Sequence, residues 1–126
     1  MERFLLKFIE QAADAIIAVD NKGVIKYWNK GAERIFGYLK DEAIDKSLDL
    51  IIPTNLRERH WERFYEVMDS GVSKYSDSDL LKVPAINKNG DKIFIEFTIT
   101  IIKDKNNKIL YCFSIIRDVT DRKIKG

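Results

Sequence analysis

Two reactive side chains in this 126-residue sequence each occur once, His60 and Cys112. An imidazole can accept or donate a hydrogen bond, take a proton near neutrality or ligate a metal. His60 falls at helical spacing with Leu56, Phe64, Val67 and Met68. A lone histidine on such a face is more often a hydrogen-bonded core residue than a ligand. Cys112 lies in an apolar strand pattern, where a buried inert thiol is expected. One cysteine excludes an internal disulfide and a cysteine-rich zinc site. The acidic pairs Asp41-Glu42 and Asp77/Asp79 are expected to face water. No nucleophile–base pair, phosphate-cradling glycine loop or metal-ligand spacing is present, so no enzyme is expected.

The length points to one domain. Hydrophobic residues make up 45% of the chain, enough for a core, and 33% are charged, which argues for a hydrated surface. The 22 basic and 20 acidic residues are well mixed, which disfavours nucleic acid as a partner. No signal peptide and no bilayer-length apolar run is visible. A cytoplasmic domain is expected, compatible with a membrane-anchored parent chain and without membrane insertion of its own.

The elements that must position His60 follow from periodicity. Phe4, Leu5, Phe8, Ile9 and Ala12 stripe one face of an N-terminal helix. That stripe either caps the domain's own core or forms a homodimer seam through Phe4, Leu5, Phe8 and Ile9. Ala15 to Val19 and Val24 to Trp28 read as strands around an Asp20-Asn21-Lys22-Gly23 turn. Asn29 fits a helix N-cap and Gly37 a helix end. Short helices are expected over Lys40–Ile44 and Ser47–Ile51, stopping at Pro53. Asn55 to Ser70 is the longest helical pattern, with Trp61 and Tyr65 on the shoulder of its apolar face. Val72 to Asp79 reads as a surface loop.

Leu80 to Ile86 reads as a strand whose Pro84 argues for an edge. Asn87-Lys88-Asn89-Gly90 turns into a long strand. On it Ile93, Ile95, Phe97, Ile99 and Ile101 alternate with Glu96, Thr98 and Thr100. After a third turn at Asp104–Asn107, Ile109 to Arg117 is the last long strand. The order predicts an α+β fold: one five-stranded antiparallel sheet, with short helices and one longer helix on one face, and an amphipathic cap helix. The expected division is a cap helix over 1–13, a domain over 14–121 and the start of a linker over 122–126. The first and last strands should lie centrally, and the sheet and helices should enclose an apolar pocket.

The sequence resembles the PAS domain family over nearly its whole length. The resemblance is carried by Asp20, Gly23 and Ile25, then Trp28-Asn29, Ala32-Glu33 and Ile35-Phe36-Gly37-Tyr38. Glu42-Ala43-Ile44, Ile51-Ile52-Pro53, Lys88-Asn89-Gly90 and Arg117-Asp118-Val119-Thr120 complete it. Asp45 departs from it, standing where many relatives carry glycine. The resemblance implies a sensory or interaction module in a signalling protein such as a histidine kinase. A small ligand would sit in the apolar pocket, and Asp118 and Thr120 would form the joint to an effector domain. For those two residues a plain capping turn is the competing reading.

The run Arg57-Glu58-Arg59-His60 after Pro53 is similar to that of haem-binding oxygen-sensor PAS domains. It implies His60 as axial ligand to haem iron, with Leu56, Phe64 and Met68 beside it and Leu81, Ile95, Phe97 and Ile99 as the opposite wall. Those relatives hold bound gas with an arginine where Leu81 stands, and Phe97 narrows the slot. The photoreactive flavin members share an Asn-Cys-Arg-Phe-Leu run. Here Asn29-Lys30-Gly31-Ala32-Glu33-Arg34 has no cysteine, which argues against flavin. The alternative to sensing is a ligand-free dimerisation module.

Overall fold

The computed structural model describes residues 1–121. The expected linker start at 122–126 lies outside them. In order, the elements are α1 (Glu2–Gln11), β1 (Ala15–Asp20), β2 (Ile25–Trp28), α2 (Lys30–Phe36), α3 (Lys40–Ala43), α4 (Arg57–Ser70), β3 (Leu81–Ile86), β4 (Lys92–Lys103) and β5 (Ile109–Asp118). Two single 3-10 turns, Leu48–Ile51 and Thr54–Leu56, lead into α4. The five strands form one sheet in the order β2-β1-β5-β4-β3, every pair antiparallel. The first and last strands lie side by side within it, and β3, which carries Pro84, is an edge, as its sequence demands.

All three hairpin turns use one device. A side-chain oxygen at the first turn residue accepts two backbone N–H groups: Asp20 from Lys22 and Val24, Asn87 from Asn89 and Asp91, Asp104 from Asn106 and Lys108. Three residues on, the chain takes a left-handed conformation at Gly23 (φ +79°), Gly90 (φ +83°) and Asn107 (φ +68°). Glycine and asparagine enter that region at least cost.

The core lies between the inner sheet face and the helices. Ala15, Ile17 and Val19 of β1, Ile116 of β5 and Ile93 and Ile95 of β4 meet Trp28, Ala32, Phe36 and Ile51. Trp28 and Phe36 are fully buried, with ring centroids 5.6 Å apart. The Trp28 indole N–H donates to the Tyr38 carbonyl at 2.9 Å. Such a pair contributes about 0.5–1.5 kcal/mol beyond its burial.

Asn29 does more than cap a helix. It is fully buried. Its side-chain oxygen accepts from Ile16 N (2.8 Å) and Ala32 N (2.9 Å), and its amide donates to the carbonyls of Ile9 (2.8 Å) and Asp14 (3.1 Å). One side chain therefore ties together α1, β1 and α2. Gly31 allows that approach: a Cβ there would lie 2.1 Å from the Asp14 carbonyl oxygen.

Two sequence expectations need correction, and one residue adds a detail. The helix expected from Asn55 begins at Arg57, because Thr54–Leu56 winds as a 3-10 turn after Pro53. The Ser47–Ile51 helix is likewise a 3-10 turn, capped by the Ser47 hydroxyl. Glu96 is on the outer face, as alternation requires, yet it is buried, opposite Arg117 in the strand register.

Candidate functional site

The side chains expected to line a pocket come from the 3-10 turn at Leu56, from α4 and from β3 and β4. Leu56, Phe64, Ile95 and Phe97 join one core cluster. Met68, Leu81 and Ile99 are half-buried and stand outside it. Burial fades along β4: Ile93 and Ile95 are buried, while Phe97, Ile99 and Ile101 are half-buried. Helix α4 has no buried residue at all. Beyond the core, the apolar side chains of α4 and β4 are thus only partly covered.

His60 is among these half-buried residues of α4. Its ring stacks on Phe64 (6.1 Å, 29°) and meets Trp61 edge-on at 4.5 Å. Nδ1 is buried and has no hydrogen-bond partner. Burial pulls the imidazole below its usual value, partly opposed by Asp49, so His60 is held neutral. A buried polar atom without a partner costs about 1–3 kcal/mol, and one kept in a native fold calls for an explanation.

Two hollows are described, and neither is lined by these side chains. A cavity of about 610 Å3 opens instead at the C-terminal end of α4, bounded by Arg63, Glu66, Val67, Asp69, Ser70, Val72, Ser73, Lys74 and Tyr75. Another of about 200 Å3 lies against Asp118, Thr120 and Asp121. His60 lines neither. Phe64, Phe97 and Trp61 pack against the core.

This arrangement does not fit a haem. A metal-bound histidine donates its second ring N–H to a carbonyl, carboxylate or water. His60 Nδ1 has no such partner.

Trp61 was placed on the shoulder of its helix by spacing, but it faces inward. Its indole N–H donates to Asp49 Oδ1 at 2.7 Å, and its ring covers Gly23. An aromatic residue three before Phe64 was the available signal. Its partner Asp49, remote in sequence, could not be read from the pattern. Of the four expected seam residues, Phe4, Leu5 and Phe8 are exposed and Ile9 is half-buried. Helix α1 is held through polar contacts at its C-terminal end. Glu10 accepts from Tyr27 Oη (2.8 Å) and Lys40 Nζ (2.7 Å), and the Ile9 carbonyl accepts from Asn29. Its apolar stripe covers no core.

At the far end of the sheet, Asp118 and Thr120 close β5 onto β4. The Thr120 hydroxyl oxygen accepts from Phe94 N (3.0 Å), and its O–H donates to Asp118. Thr120 N also donates to Asp118 (2.9 Å), and Val119 N to the Phe94 carbonyl (2.8 Å). The junction is a built clasp between two strands.

A family model described as "PAS domain" matches residues 13–121. The chain belongs to the PAS domain family. It is similar to sensor domains of signalling proteins. It is 27% identical to Sensor protein FixL of Bradyrhizobium diazoefficiens over 95% of its own length and 23% of that protein. It is 22% identical to Oxygen sensor protein DosP of Escherichia coli, over 89% of its own length and 14% of that protein. The chain spans less than a quarter of these relatives. The crystal structure of a Colwellia psychrerythraea PAS domain superposes with a TM-score of 0.81 at 24% identity, covering 96% of this chain and 98% of that one. That likeness bears on the fold alone. No described helix of this PAS domain is long and apolar enough to cross a membrane.

Proposed function

We propose that this PAS domain senses a small, uncharged, largely apolar molecule between α4 and the outer half of β3–β4, and relays its presence to an effector domain of a longer signalling chain. The observation that supports it is the buried, partnerless Nδ1 of His60, on the same helix as the half-buried Met68 and packed against Phe64. A ligand there would cover apolar surface worth about 25 cal/mol per Å2 and give Nδ1 a partner. It would enter by displacing α4, a helix with no buried residue. Strain would leave through β5 and the Asp118–Thr120 clasp. Such a relay works only if the ligand binds two states unequally. No catalytic step is assigned to the domain.

The exposed stripe of α1 supports an accompanying role, a homodimer seam through Phe4, Leu5, Phe8 and Ile9. Light scattering on the purified chain tests it: a monomer at millimolar concentration removes the seam.

The sensing role is tested by fusing the chain to a histidine kinase core. Ile99→Trp, which fills the space, should shift kinase output, and Thr120→Val should suppress that shift. A fusion whose output ignores both substitutions contradicts the proposal.

A further inference from the structure

Trp61 bolts α4 to the rest of the fold. Its indole N–H reaches Asp49, and a Cβ on Gly23 would lie 2.2 Å from its ring. One turn earlier, Arg57 donates to the carbonyls of Ile52 (3.0 Å) and Asp49 (3.2 Å). Beyond Trp61, the described side-chain hydrogen bonds of α4 are local ones, between Ser70 and Val72. The helix is therefore fixed at its beginning and loose at its end.

The turn beneath the indole leads into β2. Gly23 O accepts from Leu48 N (3.1 Å), Ile25 O from Asp45 N (2.9 Å), and Ile25 N donates to Lys46 O (2.8 Å). The segment leading to Asp49 is thus stitched to the same strand. The other end of β2 holds α1, through Tyr27 to Glu10 and Asn29 to the Ile9 carbonyl. The strand is four residues long, so its two ends move together.

We propose that Trp61 is a latch coupling α4 to the first hairpin, so that displacement of the helix at His60 passes along β2 into α1. His60, edge-on to the indole, is where the displacement begins. This is an outlet separate from the Asp118–Thr120 clasp. It rests on the sensing proposal only for what moves the helix. The link itself is tested without ligand, so its failure leaves that proposal standing.

The test is amide hydrogen exchange on the whole chain, comparing the wild type with Trp61→Phe and Asp49→Ala. The first removes the N–H and keeps an aromatic ring; the second removes the acceptor from a half-exposed turn and leaves the core intact. Loss of one hydrogen bond corresponds to about a fivefold change in a local opening equilibrium. Amides at the start of α4 and those of Glu10 to Ala12 should speed up together by about that factor in both variants. Amides between β4 and β5 should keep their wild-type rates. Coupling is reciprocal, so Tyr27→Phe should also loosen the start of α4. Faster exchange in α4 with Glu10 to Ala12 unchanged overturns the latch, as does a Tyr27→Phe variant that leaves α4 untouched.

Discussion

Mild acid should weaken this fold through one side chain. Burial holds His60 below its ordinary value of 6.5, with Asp49 partly opposing. Between the depressed folded value and 6.5, the unfolded chain takes a proton that the folded chain refuses. Stability therefore rises with pH across that window and is complete above it. Protonation would also place a charged N–H at Nδ1, where no acceptor waits. His60 is the only histidine, so no other imidazole confuses the reading. A group fully excluded from protonation would cost about 1.4 kcal/mol between about pH 7.5 and about pH 5.5. Solvent at the open side of the ring lowers the loss below that ceiling. Urea unfolding at the two pH values, followed by tryptophan fluorescence, measures it. The wild type should lose several tenths of a kcal/mol, and His60→Gln should lose almost none. Equal losses in both proteins, or a wild type that gains stability in acid, refute the reasoning.

Other outcomes follow from particular contacts. Gly31→Ala drives a Cβ into the Asp14 backbone and should cost at least about 3 kcal/mol in urea unfolding. Asp45 has φ +68°, and Asp45→Gly should raise stability by up to about 1 kcal/mol, since the exposed Lys26 pair it gives up is worth little. Burial and the bond to Glu10 push Tyr27 up to about 12. In an ultraviolet titration it should ionise well above the ordinary tyrosine value of 10, and its contribution to stability, whole below about pH 10, should fade toward pH 12. Adding haemin to the purified chain should leave no intense band near 400 nm; a band that His60→Ala abolishes would reverse the reading of His60.

Much of the fold was legible because its signals are local. Alternation along Ile93 to Ile101 fixed β4 and its inward face, and three Asx-led turns fixed the hairpins. Asp45, standing where many relatives carry glycine, takes left-handed backbone, which the sequence alone had not shown. What escaped depends on partners far apart in sequence. Asn29 reads as a cap, but its bonds to Ile9, Asp14 and Ile16 exist only after β1 and α1 have come together. The inward turn of Trp61 is set by Gly23 and Asp49, on two separate elements. Helical spacing named the side chains facing the site but could not show whether α4 closes on the sheet. Glu96 alternates correctly, but strand period does not encode its burial.

The space between α4 and β3–β4 can be probed directly with xenon, which enters apolar voids without needing a recognised ligand. Methyl-region NMR under xenon pressure should show saturable shifts at Met68, Leu81 and Ile99, with the methyls of Ala15 and Ile25 in the packed core unmoved. Shifts confined to Leu5 and Leu6 on α1, or none that saturate, would contradict a ligand-binding space beside His60.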